Sequence, residues 1–516
     1  MKNSILNSVL GGLKNFSANA LEKKSADEVI ETAKKSDLKK TLGAFDLIIL
    51  GIGAVVGTGI FTIIGSAIVG GPEGAGAGPA IIISMVLAAV ASIFSALCYS
   101  EIAAMFPIAG SAYTYTYVTM GEFMAWIVGW ILMLEYAIGN ITIASAWSGY
   151  FAQFLKGFKH ILPAFITNFP LWLRNDYRSI SIMCDKYGLD IHDKIPYIFD
   201  KIPFAINLPA IFIVILLTFI LIKGIKESTR FAGVMVAINL FIISTFIFVG
   251  AHYVQPENWT PFMPNGFSGV VMGAFLIFFA YIGFDAISTT AEETKNPQKD
   301  IPIGILGTLC ICTVLYISVA LVLTGMVPFK LIDIQAPIAH AMHYVGKDWF
   351  AGFISAGAIA GLTSVLLVYQ LGTVRILYAM SRDKFIPRSL RIVNKKTRTP
   401  NLLTWICGLI VIIGSVFMDL NISAELCNFG TFTSFIIICI IVMILRKTDP
   451  DRPRPFRVPF VPLFPILGIF FCGGLIVYSL KTLKTSSTLF PVWILIGVVI
   501  YFIYGYPAHR NKNAKR

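Results

Sequence analysis

About twelve runs of roughly twenty apolar residues punctuate this chain, and no other feature constrains its fold as tightly. A helix rises about 1.5 Å per residue, so each run is long enough to cross a hydrocarbon core of about 30 Å. The runs lie near 43–70, 77–106, 121–151, 206–223, 230–252, 267–289, 302–325, 350–380, 401–419, 424–445, 460–481 and 487–506. They are referred to below as spans 1 to 12. Backbone groups in lipid must pair within their own segment, which makes these spans helices. A barrel would need alternating segments of about ten residues, and none is legible. Composition agrees: 13% of residues are charged, against about 25% in soluble domains.

The net charge of +13 is not gathered into one patch. With both termini inside, roughly three quarters of the 41 lysines and arginines fall in the tails and in loops 2–3, 4–5, 6–7, 8–9 and 10–11. Membrane topology produces that pattern, whereas nucleic acid would call for a continuous basic face. The expected organisation is a cytoplasmic N-terminal tail over 1–40, a transport core over 41–450, spans 11 and 12 over 451–506 and a cytoplasmic tail over 507–516. Residues 1–40 are polar and Lys-rich, without the apolar core of a secretory leader. The cell (inner) membrane is the expected location. The long 3–4 loop, 152–205, mixes aromatics, charges and prolines and is expected to form a small external cap.

Two spans carry interruptions. Span 1 holds glycines at 51, 53, 57 and 59, each disfavouring a continuous helix by about 1 kcal/mol relative to alanine. A helix broken at Gly57-Thr58-Gly59 presents free amides at the start of its second half, which suit a carboxylate. The carbonyls ending its first half suit an ammonium, so one break can hold both ends of a zwitterion. Close packing through small residues accounts for the same glycines equally well. Span 6 carries the second interruption, Phe278-Phe279-Ala280-Tyr281-Ile282-Gly283-Phe284-Asp285. An acidic residue at that depth costs about 3 kcal/mol on insertion scales and normally faces a cavity or a partner. Paired interruptions five spans apart are what an inverted repeat of five helices generates. That pairing favours a binding site.

Around these breaks the sequence resembles the amino acid permeases of the APC superfamily, above all the cationic amino acid transporter branch and its bacterial relatives. Gly283-Phe284-Asp285-Ala286, Glu292-Glu293-Thr294-Lys295-Asn296-Pro297 and Ile301-Pro302 are similar to that family's signature. So are Gly57-Thr58-Gly59-Ile60-Phe61 in span 1, Pro107 with Gly110-Ser111-Ala112-Tyr113 before span 3, and Gly224-Ile225-Lys226-Glu227-Ser228 after span 4. Arg375 and Tyr378-Ala379-Met380-Ser381-Arg382-Asp383 match the end of span 8. The resemblance covers roughly residues 38–450. It implies an all-α membrane protein with a LeuT-type five-plus-five inverted repeat, two further C-terminal helices, unwound spans 1 and 6, and alternating access.

The resemblance also implies roles for residues. The substrate carboxylate is expected at the amides of Thr58 and Gly59, beside Gly57. The ammonium is expected at carbonyls near Val55, Phe279 and Ile282, with Phe279 as an aromatic gate. Asp285 either ties the unwound segments together or caps the second half of span 6. Tyr369, in the span 8 wall beside Gln370, argues against arginine or lysine and for neutral or broad amino acid use; cationic substrates are the competing expectation. Many bacterial relatives carry a lysine in span 5, about twelve residues beyond the Glu-Ser pair, which stands in for sodium and couples transport to protons. The matching position here is Asn239, which does not titrate near neutral pH. Uniport or exchange is therefore expected rather than lysine-based proton symport. A symporter using another titratable group is the alternative, with Glu135 in span 3 as its candidate or else a structural carboxylate.

Other functional classes find less in the sequence. Glycine loops of the Walker type, which an ATP-driven pump requires, are not present. The six histidines fall in expected loops or near membrane boundaries, so no enzyme is expected. His340 and His343 stand three apart in an expected outside loop and read as solvated side chains. No metal or other cofactor is expected. A nutrient receptor would call for a long structured tail. Glu101, near the cytoplasmic end of span 2, is expected to pair with a loop cation. Cys310 and Cys312 should lie on diverging faces of one helix, while Cys184 falls in a polar loop. The expected partners are an amino acid substrate and the lipid bilayer, not nucleic acid.

Overall fold

A computed structural model describes residues 22–27, 31 and 42–507, apart from 58, 72–73, 109, 158–162, 164–166, 168–169, 193, 199–201, 224, 335, 395–396 and 398. Thr58, most of both tails and part of the 152–205 insert therefore lie outside the described residues. Nine of the described helices are long and apolar enough to cross a bilayer. A tenth crossing is a bent pair, Ala44–Val55 and Gly59–Val69, whose halves meet at 42°. Two shorter apolar helices, Leu208–Lys223 and Asn401–Phe417, occupy spans 4 and 9.

Span 3 is one long helix, Glu122–Gly157, and so is span 8, Asp348–Arg382. They pack along one another and form the centre of the molecule. Span 10, Leu420–Thr448, lies against span 3, and span 5, Ile225–Gly250, lies against span 8. Span 2, Ile81–Met105, packs on span 7, Pro297–Met326; span 1 packs on span 7 and span 6 on span 2. The outer faces of spans 4, 5, 9, 11 and 12 leave Phe212, Phe219, Phe241, Phe248, Leu409, Ile413, Phe470 and Leu495 exposed, as a lipid-facing surface requires.

Polar contacts at the ends position these helices. Glu101, buried at the end of span 2, accepts a bidentate pair from Arg446 at 2.9 and 2.6 Å. Arg454 lies 3.3 Å from the same carboxylate, and the Val458 amide donates to it at 2.7 Å. The cation partner comes both from the end of span 10 and from the following loop. Leu42, before span 1, pairs with Thr294 and accepts from the Lys295 amide at 2.8 Å, which joins the start of span 1 to the end of span 6.

The insert contains helices Leu171–Arg174 and Tyr177–Tyr187 and a short hairpin pairing 197–198 with 202–203. Cys184, which the sequence places in a polar loop, lies on the helix Tyr177–Tyr187. It is buried with Ile180 and Ile195 in a small core of the insert, because a helix places 180 and 184 on one face. Cys310 is exposed and Cys312 buried, on the diverging faces expected. His340 and His343 lie on a short helix, Pro337–Tyr344, where His343 pairs with Asp348.

Removing one member of a buried ion pair leaves the others uncompensated. Glu101→Ala is expected to destabilise the protein by about 3 kcal/mol, read as a lower thermal midpoint of the detergent-solubilised protein. Glu101→Gln, which keeps one acceptor oxygen, is expected to lose less. Equal midpoints for wild type and Glu101→Ala would contradict this assignment.

Candidate substrate site

The first half of span 1 ends where the Val56 amide closes onto Ile52. Its second half begins where the Phe61 amide closes onto the Gly57 carbonyl at 3.1 Å. The Gly59 and Ile60 amides, just ahead of Phe61, thus stand at a helix start, where they have no carbonyl one turn back. In span 6 the helix Gly266–Ile277 tightens to a 3₁₀ turn over Phe278–Tyr281, extends at Ile282, and reverses at Gly283 with φ +113°. Left-handed backbone of that kind favours glycine. The chain then continues as a 3₁₀ segment, Phe284–Glu293.

The two breaks are seated on one another. A Cβ on Gly59 would fall 2.2 Å from the Cα of Ala280, and one on Gly283 would fall 2.8 Å from the carbonyl oxygen of Ala54. Each break therefore presents a glycine to the other's backbone. The other span 1 glycines serve close packing: Gly57 against Val365, Gly53 against Val236 and Gly51 against Thr308. The packing and binding accounts of these glycines are thus compatible, since close approach brings the two sets of exposed backbone groups together.

Neighbouring side chains hold the broken segments. Tyr316 of span 7 places its hydroxyl 2.9 Å from the carbonyls of both Val55 and Ala280, one from each break. Its single proton serves either acceptor, and each carbonyl keeps a lone pair free. Asn239 donates from Nδ2 to the Val56 carbonyl at 2.9 Å, while its Oδ1 has no protein partner. Asn239 therefore touches the first break. Asp285 is buried, and one of its oxygens accepts the Tyr136 hydroxyl of span 3 at 2.5 Å. The hydrogen bond found for Asp285 therefore ties span 6 to span 3. Phe279 and Ile282 are buried at the second break, the Ile282 amide donating to Phe279.

Tyr369 stacks at a tilt on Tyr136, 5.4 Å between ring centroids, so it lies in the same wall as the Asp285 contact. Gln370 turns away and donates to Thr218 of span 4 at 2.6 Å. Glu135 is fully buried and neither carboxylate oxygen has a donor. Thr431 lies beside it but gives its hydroxyl to the Cys427 carbonyl at 3.0 Å. Glu135 senses the charge of Asp285, yet it faces span 10, with its Cβ 3.7 Å from the position a Cβ on Gly430 would take. Toward the end of span 8, Tyr113 donates to Asp383 at 2.9 Å, and Arg375 reaches Thr289 at 3.3 Å.

Sequence reasoning missed Tyr316, Tyr136 and Tyr150, the last donating to the Phe61 carbonyl at 2.6 Å. Buried tyrosines inside apolar helices were the available signal, because a phenol at that depth needs an acceptor. Gly59→Ala is expected to abolish transport, since its methyl group would meet backbone. Gly352→Ala, with nothing within 4 Å of the new Cβ, should leave transport near the wild-type level. Tyr316→Phe, which removes the shared hydroxyl, is expected to lower the initial uptake rate roughly tenfold, as loss of a buried hydrogen bond to reacting or moving groups does. Initial rates in proteoliposomes check all three.

The chain matches the family model for amino acid permeases over residues 42–500. It is 42% identical to a methylthioribose transporter of Bacillus subtilis (strain 168), over 93% of this chain and 97% of that protein. It is 43% identical to the branched-chain amino acid permease BcaP of the same organism, again over 93% and 97%. A chloroplastic cationic amino acid transporter 9 of Arabidopsis thaliana is 35% identical over 86% of this chain and 74% of its own length. These are transporters, not enzymes, and the branch expected from the sequence motifs is the one found. Its apolar helices and its relatives alike identify a multi-pass membrane protein, and the chain belongs to the amino acid permease family.

Proposed function

We propose that this chain carries L-amino acids across the cell (inner) membrane by alternating access, holding the zwitterionic backbone where spans 1 and 6 break. The mutual seating of Gly59 on Ala280 and of Gly283 on Ala54 carries this reading. It gathers a helix start and two sets of carbonyl groups at one place, which is what a carboxylate and an ammonium 3–4 bonds apart require. Thr58 and Gly59 then meet the carboxylate; Val55, Phe279 and Ile282 meet the ammonium; Gly57 gives the backbone room.

A five-plus-five inverted repeat is supported by packing that recurs at an offset of five. Spans 3 and 10 pack as spans 8 and 5 do, spans 1 and 7 as spans 6 and 2, and spans 3 and 9 as spans 8 and 4. Taking the bent pair as one crossing and the two shorter helices as crossings yields the twelve spans read from the sequence. Lysine and arginine placement supports cytoplasmic termini.

Uniport or exchange is favoured by Asn239, an uncharged group hydrogen-bonded to the first break where the symport reading needs a titrating one. Glu135 supplies the second reading, proton coupling through another group, because its carboxylate is buried beside Asp285 without a donor. Tyr369 on the wall favours neutral substrates. The names of the relatives offer methylthioribose, branched-chain amino acids and cationic amino acids as the compounds to test alongside them.

Uptake into proteoliposomes, with and without a pH gradient and internal counter-substrate, tests the proposal. Labelled amino acid should equilibrate without a gradient and accumulate only by exchange, unaffected by a protonophore. Accumulation with empty vesicles that a protonophore collapses, and that Glu135→Gln removes, would establish the second reading instead. Transport of methylthioribose but of no amino acid would overturn both.

A further inference from the structure

Span 3 turns one face toward both breaks. At 100° per residue, Tyr136, Asn140, Ile143, Trp147 and Tyr150 fall within about 40° of one line along its helix. Contacts fix what that line faces. Tyr136 bonds Asp285 just past the span 6 break, Tyr150 bonds the Phe61 carbonyl just past the span 1 break, and Trp147 donates to Thr363 of span 8 at 2.9 Å. Asn140 sits between them, about 6 Å along the axis from Tyr136.

Asn140 has no exposed surface, and neither its Nδ2 nor its Oδ1 has a protein partner. The other polar side chains on the same line are each hydrogen-bonded. A carboxamide offers two donors and an acceptor, and at this depth leaving all of them unpaired opposes folding. Two further groups of the span lack a partner, Ser145 Oγ and the Glu135 carboxylate, and Glu135 lies about 100° off the line and faces span 10 instead. One helical turn from Asn140, Tyr136 and Tyr369 form the adjoining wall, and Gly139 leaves room for the Tyr369 ring.

We propose that Asn140 reads the substrate side chain, selecting amino acids whose side chain is uncharged and carries a hydroxyl or carboxamide over branched aliphatic ones. This rests on the zwitterion site proposed above. Held there by its backbone, a substrate extends its side chain between spans 1, 3, 6 and 8, whose unpartnered side-chain groups include the hydroxyls of Thr62 and Ser364 and, as the one carboxamide among them, Asn140. An aliphatic side chain would bury the carboxamide without a partner, and that penalty discriminates more strongly than a missing methylene does.

Competition and initial-rate uptake of labelled threonine, glutamine and leucine in proteoliposomes test the proposal on the full chain. Wild type should favour threonine or glutamine over leucine. Asn140→Leu, close to isosteric, should lower kcat/KM for the preferred substrate by roughly tenfold or more and hold or raise that for leucine. Asn140→Thr, which keeps a hydroxyl, should retain the polar preference, and monodisperse elution of each variant excludes misfolding. Leucine preferred by wild type, or the same preference order in Asn140→Leu, would overturn this proposal while leaving amino acid transport standing, the carboxamide then being satisfied by a water that substrate never meets. Failure of wild type to take up any amino acid would overturn the zwitterion site and this inference together.

Discussion

The contact of two broken helices, glycine of one to backbone of the other, is the constraint on which the rest of this molecule depends. Gly59 leaves no space for a Cβ beside Ala280, and Gly283 none beside Ala54. Hydrophobic packing cannot compensate for the backbone groups that two breaks expose at membrane depth. Hydrogen bonds from surrounding helices do so: Tyr316 to Val55 and Ala280, Asn239 to Val56, and Tyr150 to Phe61. The long spans 3, 5, 7 and 8 thus act as a frame around an unwound centre. In the function proposed here, a bound zwitterion would supply the partners that a helix start and free carbonyl lone pairs can take.

Much of this was legible in the sequence, because membrane spans write themselves as length. The twenty-residue runs located the helices closely, and span 3, read as 121–151, is Glu122–Gly157. The glycines at 57, 59 and 283 located both breaks, because no other residue tolerates such approach or φ +113°. Less legible were contacts between residues far apart in the chain. Tyr316 looks like any apolar-helix tyrosine until two carbonyls from spans 1 and 6 are found 2.9 Å from it. Asp285 was expected to link the unwound segments or cap a half-helix; its hydrogen bond to Tyr136, 149 residues earlier, adds a tie to span 3 that the sequence did not announce. The burial of Cys184 was not legible, because loop polarity says nothing about which side of a short amphipathic helix is covered.

The centre also contrasts in its electrostatics with the rim where spans 2, 8 and 10 end. At the rim, Glu101 meets two arginines and Asp383 meets Lys24 at 2.8 Å, so charge is matched by charge. In the centre, Glu135 and Asp285 lie near each other; Asp285 accepts the Tyr136 hydroxyl, and among the described residues neither carboxyl has an ion-pair partner. Asn239 keeps the lysine position uncharged, and on the proposed function the ammonium of a substrate would bring the positive charge to this region. The helix-start amides would take the carboxylate of the same zwitterion.

Competition by backbone-blocked analogues tests the central claim most directly. For the amino acid that wild type takes up best, inhibition of its uptake is compared with inhibition by the N-acetyl derivative and by the methyl ester. The account predicts that blocking either end weakens inhibition by roughly two orders of magnitude, because each removes a charge the breaks were built to pair. Equal inhibition by the parent and by both blocked forms would contradict it.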